Sequence, residues 1–329
     1  MKSEILHLLR HADGYVSGQQ LCETFGVSRT AVWKVINQLK EEGYVIDSVQ
    51  NKGYRITEYP DIITASEIES LLLDDSGNMQ GICRHIQYFD KTDSTNNQAK
   101  LAAEKNAPEG TLFVAECQTG GRGRRGKTWE SPAGSGIWMS LLLRPDISPE
   151  SASMLTLVLA VAMVDAINEE VQDAKCYVKW PNDIVLNNSG TLTEMSAEMD
   201  SIHYVVIGIG INVNTTDFDE SIKDMATSIY LGTGKKVKRS NIIAAFSHSF
   251  KKYYEAFLKT QDLTYIVDRY NELLINKGRT VKAIYANKEL VGEALGINKD
   301  GELIIKTEDG CETAIRAGEV SVRGLYGYV

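Results

Sequence analysis

From about residue 80 to about residue 260 the sequence alternates strand-like apolar runs with long helical patterns, and this limits the fold more than any other feature. The runs are TLFVAE, GIWMSLLLR, KCYVKW, DIVL and HYVVIGIGINVN, and the helical patterns lie near 149–170 and 240–259. In the second pattern Ile242, Ile243, Phe246, Phe250, Tyr253, Tyr254 and Phe257 recur at spacings of three and four. Such spacing marks a helix packed by one face on a sheet, so core packing is the expected role of its aromatics. A chain of 329 residues also exceeds the roughly 250 at which single cores stop growing, so more than one domain is expected.

The flanks differ from this centre. Ile5, Leu8 and Leu9 space like one face of a first helix ending at Asp13-Gly14. Ser17 is a suitable N-cap for a short helix ending at Gly26, and after a tight turn Ser28 caps a second helix running to about Glu42. Val32, Val35, Ile36 and Leu39 then face inward, while Arg29, Thr30, Trp33, Lys34 and Asn37 face outward. Tyr44–Ile46 and Tyr54–Ile56 read as two strands around Gln50-Asn51-Lys52-Gly53, a small wing. A winged helix-turn-helix would set Ser28, Arg29, Thr30, Trp33, Lys34 and Asn37 against DNA; a protein-binding three-helix module is the alternative. Trp33 fits a half-buried position as well as a base contact. Tyr59-Pro60-Asp61 reads as a linker, and Thr64 or Ser66 opens another helix. From about 278 short strands are punctuated by Asp300-Gly301 and Asp309-Gly310, turn dipeptides that predict a small C-terminal β-barrel.

Charge and cysteine usage narrow the function classes. The net charge is 35 − 44 = −9, which excludes broad coating of nucleic acid but permits local basic sites. Five scattered cysteines without a C-x-x-C pair fit a reducing cytoplasm with neither a disulfide framework nor a structural zinc site. No metal motif is apparent. The most apolar stretch, Met154–Ile167, is about 14 residues long against the roughly 20 needed to cross a bilayer, so a buried helix and no membrane association are expected.

Three segments carry chemistry. QTGGRGRRGKTW, from Gln118 to Trp129, holds Arg122, Arg124, Arg125 and Lys127 among four glycines and no acid. It matches both G-x-G-x-x-G and G-x-x-x-x-G-K-T, but each needs a helix directly afterwards to seat a phosphate, and Glu130-Ser131-Pro132-Ala133-Gly134-Ser135-Gly136 makes a helix improbable. The segment reads instead as a loop able to wrap an anion, or as a solvated or nucleic-acid-contacting loop. K-W-P-N-D, residues 179–183, ends an apolar strand with Lys179 beside a Pro-fixed turn, and by itself fits a structured corner equally well. In VVIGIGINVN, Gly208 and Gly210 alternate on one side of a strand with Asn212 beyond them, leaving room either for a ligand or for a close helix crossing.

Together, Ser94-Thr95-Asn96, G-R-G-R-R-G at 121–126, K-W-P-N-D at 179–183 and G-I-G-I-N-V at 208–213 resemble the bifunctional biotin protein ligase and biotin operon repressor family, in the family's order and over nearly the whole chain. The resemblance implies a winged helix-turn-helix at 1–60, a mixed-sheet, class II synthetase-like catalytic domain at 65–275 and an SH3-like barrel at 276–329. It implies that biotin and ATP give biotinyl-5'-AMP, with Mg2+ on the phosphates, and that a lysine of the biotin carboxyl carrier protein of acetyl-CoA carboxylase takes the biotinyl group. Ser94, Thr95, Asn96, Gln118, Arg122, Gly123, Arg124, Lys179, Gly208 and Gly210 are the implied biotin contacts. Arg124, Arg125, Lys127, Trp129, Lys179, Asn182 and Asn212 are the implied adenylate contacts, and Lys179, Arg122 and Arg124 the catalytic groups. A homodimer ordered by the adenylate would bind a palindromic operator. One departure stands out: after K-W-P-N-D-I-V-L the hairpin Asn187–Leu192 is about three residues shorter than the family's and lacks its turn lysine, and a loss within the strand rather than the turn would flip side chains across the sheet. A non-catalytic biotin-responsive repressor and a lipoate-type protein ligase are the alternatives.

Overall fold

The structure is a computed structural model describing residues 1–121, 123, 129–186, 190–201, 204–285, 288–316 and 321–324. The chain forms two compact units, residues 1–80 with 238–244 and residues 81–237 with 245–329.

The first unit begins with α1 (Lys2–His11), α2 (Gly18–Phe25) and α3 (Arg29–Glu41). The predicted caps form: the Ser17 hydroxyl accepts the Gln20 N–H at 3.0 Å and the Ser28 hydroxyl accepts the Ala31 N–H at 3.2 Å. Gly26 closes α2 in the left-handed region at φ 63°. The first helix stops at His11, short of Asp13-Gly14, because Ala12 already turns extended. Strands β1 (Val45–Val49) and β2 (Gly53–Glu58) pair antiparallel with Ile46 opposite Ile56. Ile5, Leu9, Leu21, Val32, Val35, Ile36 and Leu39 make the core beneath them. Helix α4 (Ala65–Leu72) follows, its first turn capped by the Thr64 hydroxyl on Glu67 N.

In the second unit the elements run β3 (His85–Thr92), α5 (Thr95–Glu104), β4 (Thr111–Gln118), β5 (Gly136–Leu143), α6 (Pro149–Ala152), α7 (Leu155–Glu170), β6 (Cys176–Lys179), β7 (Asp183–Leu186), β8 (Thr191–Ser201), β9 (Tyr204–Asn212) and α8 (Ile229–Thr233). Helix α9 (Arg239–Thr260), whose first residues belong to the other unit, and α10 (Val267–Leu273) come next. Among the described residues seven strands form one sheet in the order β3-β4-β5-β9-β8-β7-β6, parallel at β3–β4 and antiparallel at the other pairings. Helix α5 lies over β4, β5 and β9, and α7 over β6, β7 and β8. The apolar stretch forms α7, buried from Leu155 to Ile167 apart from Thr156 and Asp165, as expected of a core helix. The expected 149–170 helix is split because Ser148 caps a separate first turn at Ser151 N. On α9, Phe246, Phe250 and Tyr254 are buried and stack at 5.4 and 5.5 Å between centroids, the predicted core role.

The C-terminal strands β10 (Thr280–Tyr285), β11 (Lys288–Ile297), β12 (Leu303–Lys306), β13 (Glu312–Ile315) and β14 (Ser321–Gly324) form a small antiparallel sheet in the order β13-β12-β11-β10-β14. Both Asp-Gly dipeptides sit at its turns, with Gly301 at φ 77° and Gly310 at φ 85°.

Candidate active site

The pocket lies where the N-terminal end of α5 meets the sheet. On this face the side chains change from large to absent along β9: Tyr204 and Val206 pack under Ala99 and Ala103 of α5, together with Phe113 and Leu142. Gly208 and Gly210 follow at the two-residue period that keeps one face. A Cβ on Gly208 would stand 2.6 Å from Asn96 Oδ1, and one on Gly210 2.7 Å from Trp129 Nε1. The glycines therefore make room for the Asn96 amide and the Trp129 indole rather than leaving backbone bare, which refines the sequence expectation. The cleft between these side chains is lined by Ser94, Thr95, Asn96, Gln118, Gly123, Trp129, Met139 and Gly208–Gly210.

A hydrogen-bond chain orients its polar wall. The Gln118 side-chain oxygen Oε1 accepts the Thr95 backbone N–H at 2.7 Å and the Thr95 hydroxyl at 3.1 Å, and Gln118 Nε2 donates to the Ser131 hydroxyl at 3.0 Å. Ser131 in turn donates to the Trp129 carbonyl at 3.3 Å. The indole of Trp129 meets Trp138 edge-on at 6.4 Å, and its buried N–H has no acceptor among the described residues, so a ligand can supply one. Just before the helix, the Asn97 amide, with further bonds from the Ser94 backbone, Gln98 and Thr92, holds the Asp93 carboxyl down at about 2. That leaves a fixed negative charge just ahead of the N-terminus of α5, where the helix field favours it.

Lys179 ends β6 at 3% exposure, opposite Asp183 across the β6–β7 turn. Its corner is braced from later in the chain: Trp180 N donates to Asn276 Oδ1 at 3.0 Å, the Trp180 indole to the Gly301 carbonyl at 3.1 Å, and Tyr270 to the Pro181 carbonyl at 3.2 Å. Asn182 donates to the Met195 carbonyl at 2.8 Å. Val178, Ile184, Thr193 and Ile211 form one transverse row, so three strand spacings, about 14 Å, separate the Lys179 end of β6 from the glycines of β9.

The structure thus gathers Ser94, Thr95, Asn96, Gln118, Gly123, Trp129, Gly208 and Gly210 around one cleft. Lys179 and Asn182 lie on the other half of the sheet, and buried Asn212 ends β9 opposite Gly136. Arg122, Arg124, Arg125 and Lys127 lie outside the described residues, as do Asn187, Asn188 and Ser189 of the short hairpin. Beyond that turn, Thr193 and Leu192 are buried and β8 pairs with β9 from Thr193 opposite Ile211. Sequence reading missed Ser131, Met139, Ser140 and Ile209; the signal available for Ser140 was one hydroxyl in the otherwise apolar run GIWMSLLL.

On the first unit, Ser28, Arg29, Thr30, Trp33 and Lys34 are exposed and Asn37 is half-buried, with the apolar positions of α3 turned to the core. Trp33 is 57% exposed, which excludes the half-core role. The Ser28 hydroxyl already serves its cap, and Arg29 donates to Gln19 at 2.9 Å.

Family comparisons agree with both units. The HTH domain model matches residues 2–55, the biotin/lipoate A/B protein ligase family residues 88–212, and the biotin protein ligase C terminal domain residues 278–323. The class is accordingly a protein ligase carrying a helix-turn-helix domain. The bifunctional ligase/repressor BirA of Bacillus subtilis is 40% identical over 94% of this chain and 95% of its own length, and that of Escherichia coli is 31% identical over 97% and 96%. A biotin protein ligase from Aquifex aeolicus, solved with biotin and ATP, superposes with a TM-score of 0.66 at 30% identity, covering 73% of this chain and 99% of that one. The chain belongs to the family of bifunctional biotin ligase/repressor proteins.

Proposed function

We propose that this protein activates biotin with ATP to biotinyl-5'-AMP, transfers the biotinyl group to a lysine of a biotin carboxyl carrier protein, and represses transcription in response to biotin. The observation that carries the ligase reading is the cleft at the start of α5, where the hydroxyls and amides of Ser94, Thr95, Asn96 and Gln118 and the indole of Trp129 surround the bare glycines of β9. A fused ureido ring with a thioether and an aliphatic chain needs that pairing of polar and apolar surface.

In the first step a biotin carboxylate oxygen attacks the α-phosphorus and pyrophosphate leaves. Ser94, Thr95, Asn96, Gln118, Gly123, Gly208 and Gly210 hold the ring end, and Lys179 faces the reacting carboxylate and phosphate oxygens. Arg122, Arg124, Arg125 and Lys127 supply positive field there. Trp129, Asn182 and Asn212 hold the nucleotide, whose phosphates would carry Mg2+ to offset their charge; among the described residues no three His, Cys, Asp or Glu side chains converge on a metal site. In the second step the uncharged lysine amine attacks the acyl carbon and AMP leaves, a reaction that requires orientation and protection from water. The working division is 1–60 for DNA, 65–275 for catalysis and 276–329 for the C-terminal domain, in a cytoplasmic homodimer whose exposed α3 face reads operator DNA.

Incubation with ATP, Mg2+, biotin and a carrier domain should label the carrier's lysine, and biotin-dependent ATP–pyrophosphate exchange should accompany it. Binding of biotin without exchange would instead establish a non-catalytic sensor, and labelling by lipoate alone a lipoate ligase. Arg124→Gly should release adenylate and label bystander lysines; full retention of adenylate by that variant would contradict the loop's role.

A further inference from the structure

Strand β5 is buried along its whole length, yet its fifth residue is a serine. Ser140 is fully buried and stands opposite Gly208 on β9. Its hydroxyl lies 2.7 Å from Thr95 Oγ1 and 2.5 Å from Asn96 Oδ1.

Proton counting fixes the Thr95 side of this arrangement. The single Thr95 hydroxyl proton goes to Gln118 Oε1, so Thr95 Oγ1 turns a lone pair toward Ser140. Asn96 Oδ1 is an acceptor only, so the Ser140 proton is shared between two acceptors that both face it. Turned over, the Asn96 amide would instead donate an N–H to the Ser140 oxygen and leave the Ser140 proton to Thr95, so in either orientation the hydroxyl couples that amide to Thr95. Gly208 completes the arrangement, because any Cβ there would occupy the space of the Asn96 amide.

We propose that Ser140 is a positioning residue for ring recognition: its hydroxyl, held between Thr95 and Asn96 above Gly208, ties the Asn96 amide to Thr95 and so fixes where that amide stands at the pocket. The proposal rests on the reading of this cleft as the biotin site. Ser140 does not need to touch the ligand; it acts through Asn96 and Thr95. Loss of the hydroxyl sets Thr95 Oγ1 and the Asn96 amide against an apolar methyl, a defect felt at the ring end and not at the nucleotide end.

Calorimetry with biotin alone tests this without turnover. Ser140→Ala should raise the biotin Kd about ten-fold, leave the KM for ATP within about two-fold, and melt within a few degrees of the parent. Ser140→Thr, which keeps the hydroxyl, should restore tight binding. If Ser140 acts through Asn96, the Ser140→Ala effect should shrink in an Asn96→Ala background, because neighbours sharing one network are not additive. Unchanged biotin affinity in Ser140→Ala, an equal rise in the KM for ATP, or an undiminished effect in the Asn96→Ala background would overturn the proposal. Failure of the parent protein itself to bind biotin would overturn the biotin reading and this proposal with it, an outcome distinct from the other three.

Discussion

Burial sets the chemistry of individual side chains here. Cys83 and Cys176 are buried, and desolvation pushes both thiols up to about 12, far from the thiolate form that reacts. Cys311 is exposed. A maleimide at pH 8 should therefore modify Cys311 in the native protein and reach Cys83 and Cys176 only after denaturation, as peptide mass mapping would show; prompt modification of Cys83 would contradict its burial. Asp93 behaves in the opposite sense. Its folded value of about 2 lies below the unfolded value near about 3.9. Its stabilising contribution is then present above the unfolded value and lost as pH falls through about 2. Asp93→Asn should flatten the decline of melting temperature between about pH 4 and 2 while leaving the slope above pH 5 unchanged; an unaltered acid limb would show that the amides around Asp93 contribute nothing to it.

At the scale of elements, the wing shows how one backbone position can decide a hairpin. Gly53 sits at φ 114°, and a Cβ there would lie 2.0 Å from the Val16 carbonyl, which accepts the Tyr54 N–H in the bridge joining Val16 to β2. Gly53→Ala must break that bridge or move the wing, so a loss of several kcal/mol in unfolding free energy is expected, on the order of about 2–4, measured by urea titration; a loss below about 0.5 kcal/mol would refute the close approach. The legible elements share this local character. Ser17, Gly26 and Ser28 announce α2 and α3 because caps and left-handed glycines are local devices, and the three-and-four spacing of α9 is long enough to read alone. Strand β3 was not legible: HIQYFDKT is an edge strand with exposed charged positions, defined by parallel pairing with β4 rather than by its own pattern. The run TLTEMSAEMDS is equally polar, and its pairing with β9 and β7 makes it β8. The site divides the same way. Its glycines and the Ser94-Thr95-Asn96 run were visible as motifs, whereas Ser140 matters only because the fold brings it opposite Gly208.

At the scale of the whole chain, the linker after residue 60 is a weaker boundary than its composition suggests. In the first unit Glu67 of α4, 1% exposed, accepts Arg10 Nη2 at 2.7 Å, the Tyr44 hydroxyl at 2.5 Å and the Ser240 hydroxyl at 3.1 Å. Burial, then the Glu67 charge, drives the Tyr44 hydroxyl well above the usual phenol range, so it stays a donor. Arg10 also lies 4.5 Å over the Tyr59 ring, and Arg239 donates to both Asp61 carboxylate and carbonyl. Residues on both sides of position 60 therefore share one core, with Tyr59 and Ile62 packed on the helix-turn-helix cluster. Removal of residues 1–60 should abolish operator binding, and it also strips the cover from Ile62 and from Glu67. In the full chain Glu67→Gln should cost about 2–4 kcal/mol, because Arg10 loses its buried counter-charge. In the truncated chain, where Arg10 and Tyr44 are gone and water reaches the carboxylate, the same substitution should fall within about 0.5 kcal/mol of neutral. Urea unfolding of the four proteins measures the difference directly, and equal costs in both backgrounds would show that Glu67 gains nothing from the DNA-reading half of its unit.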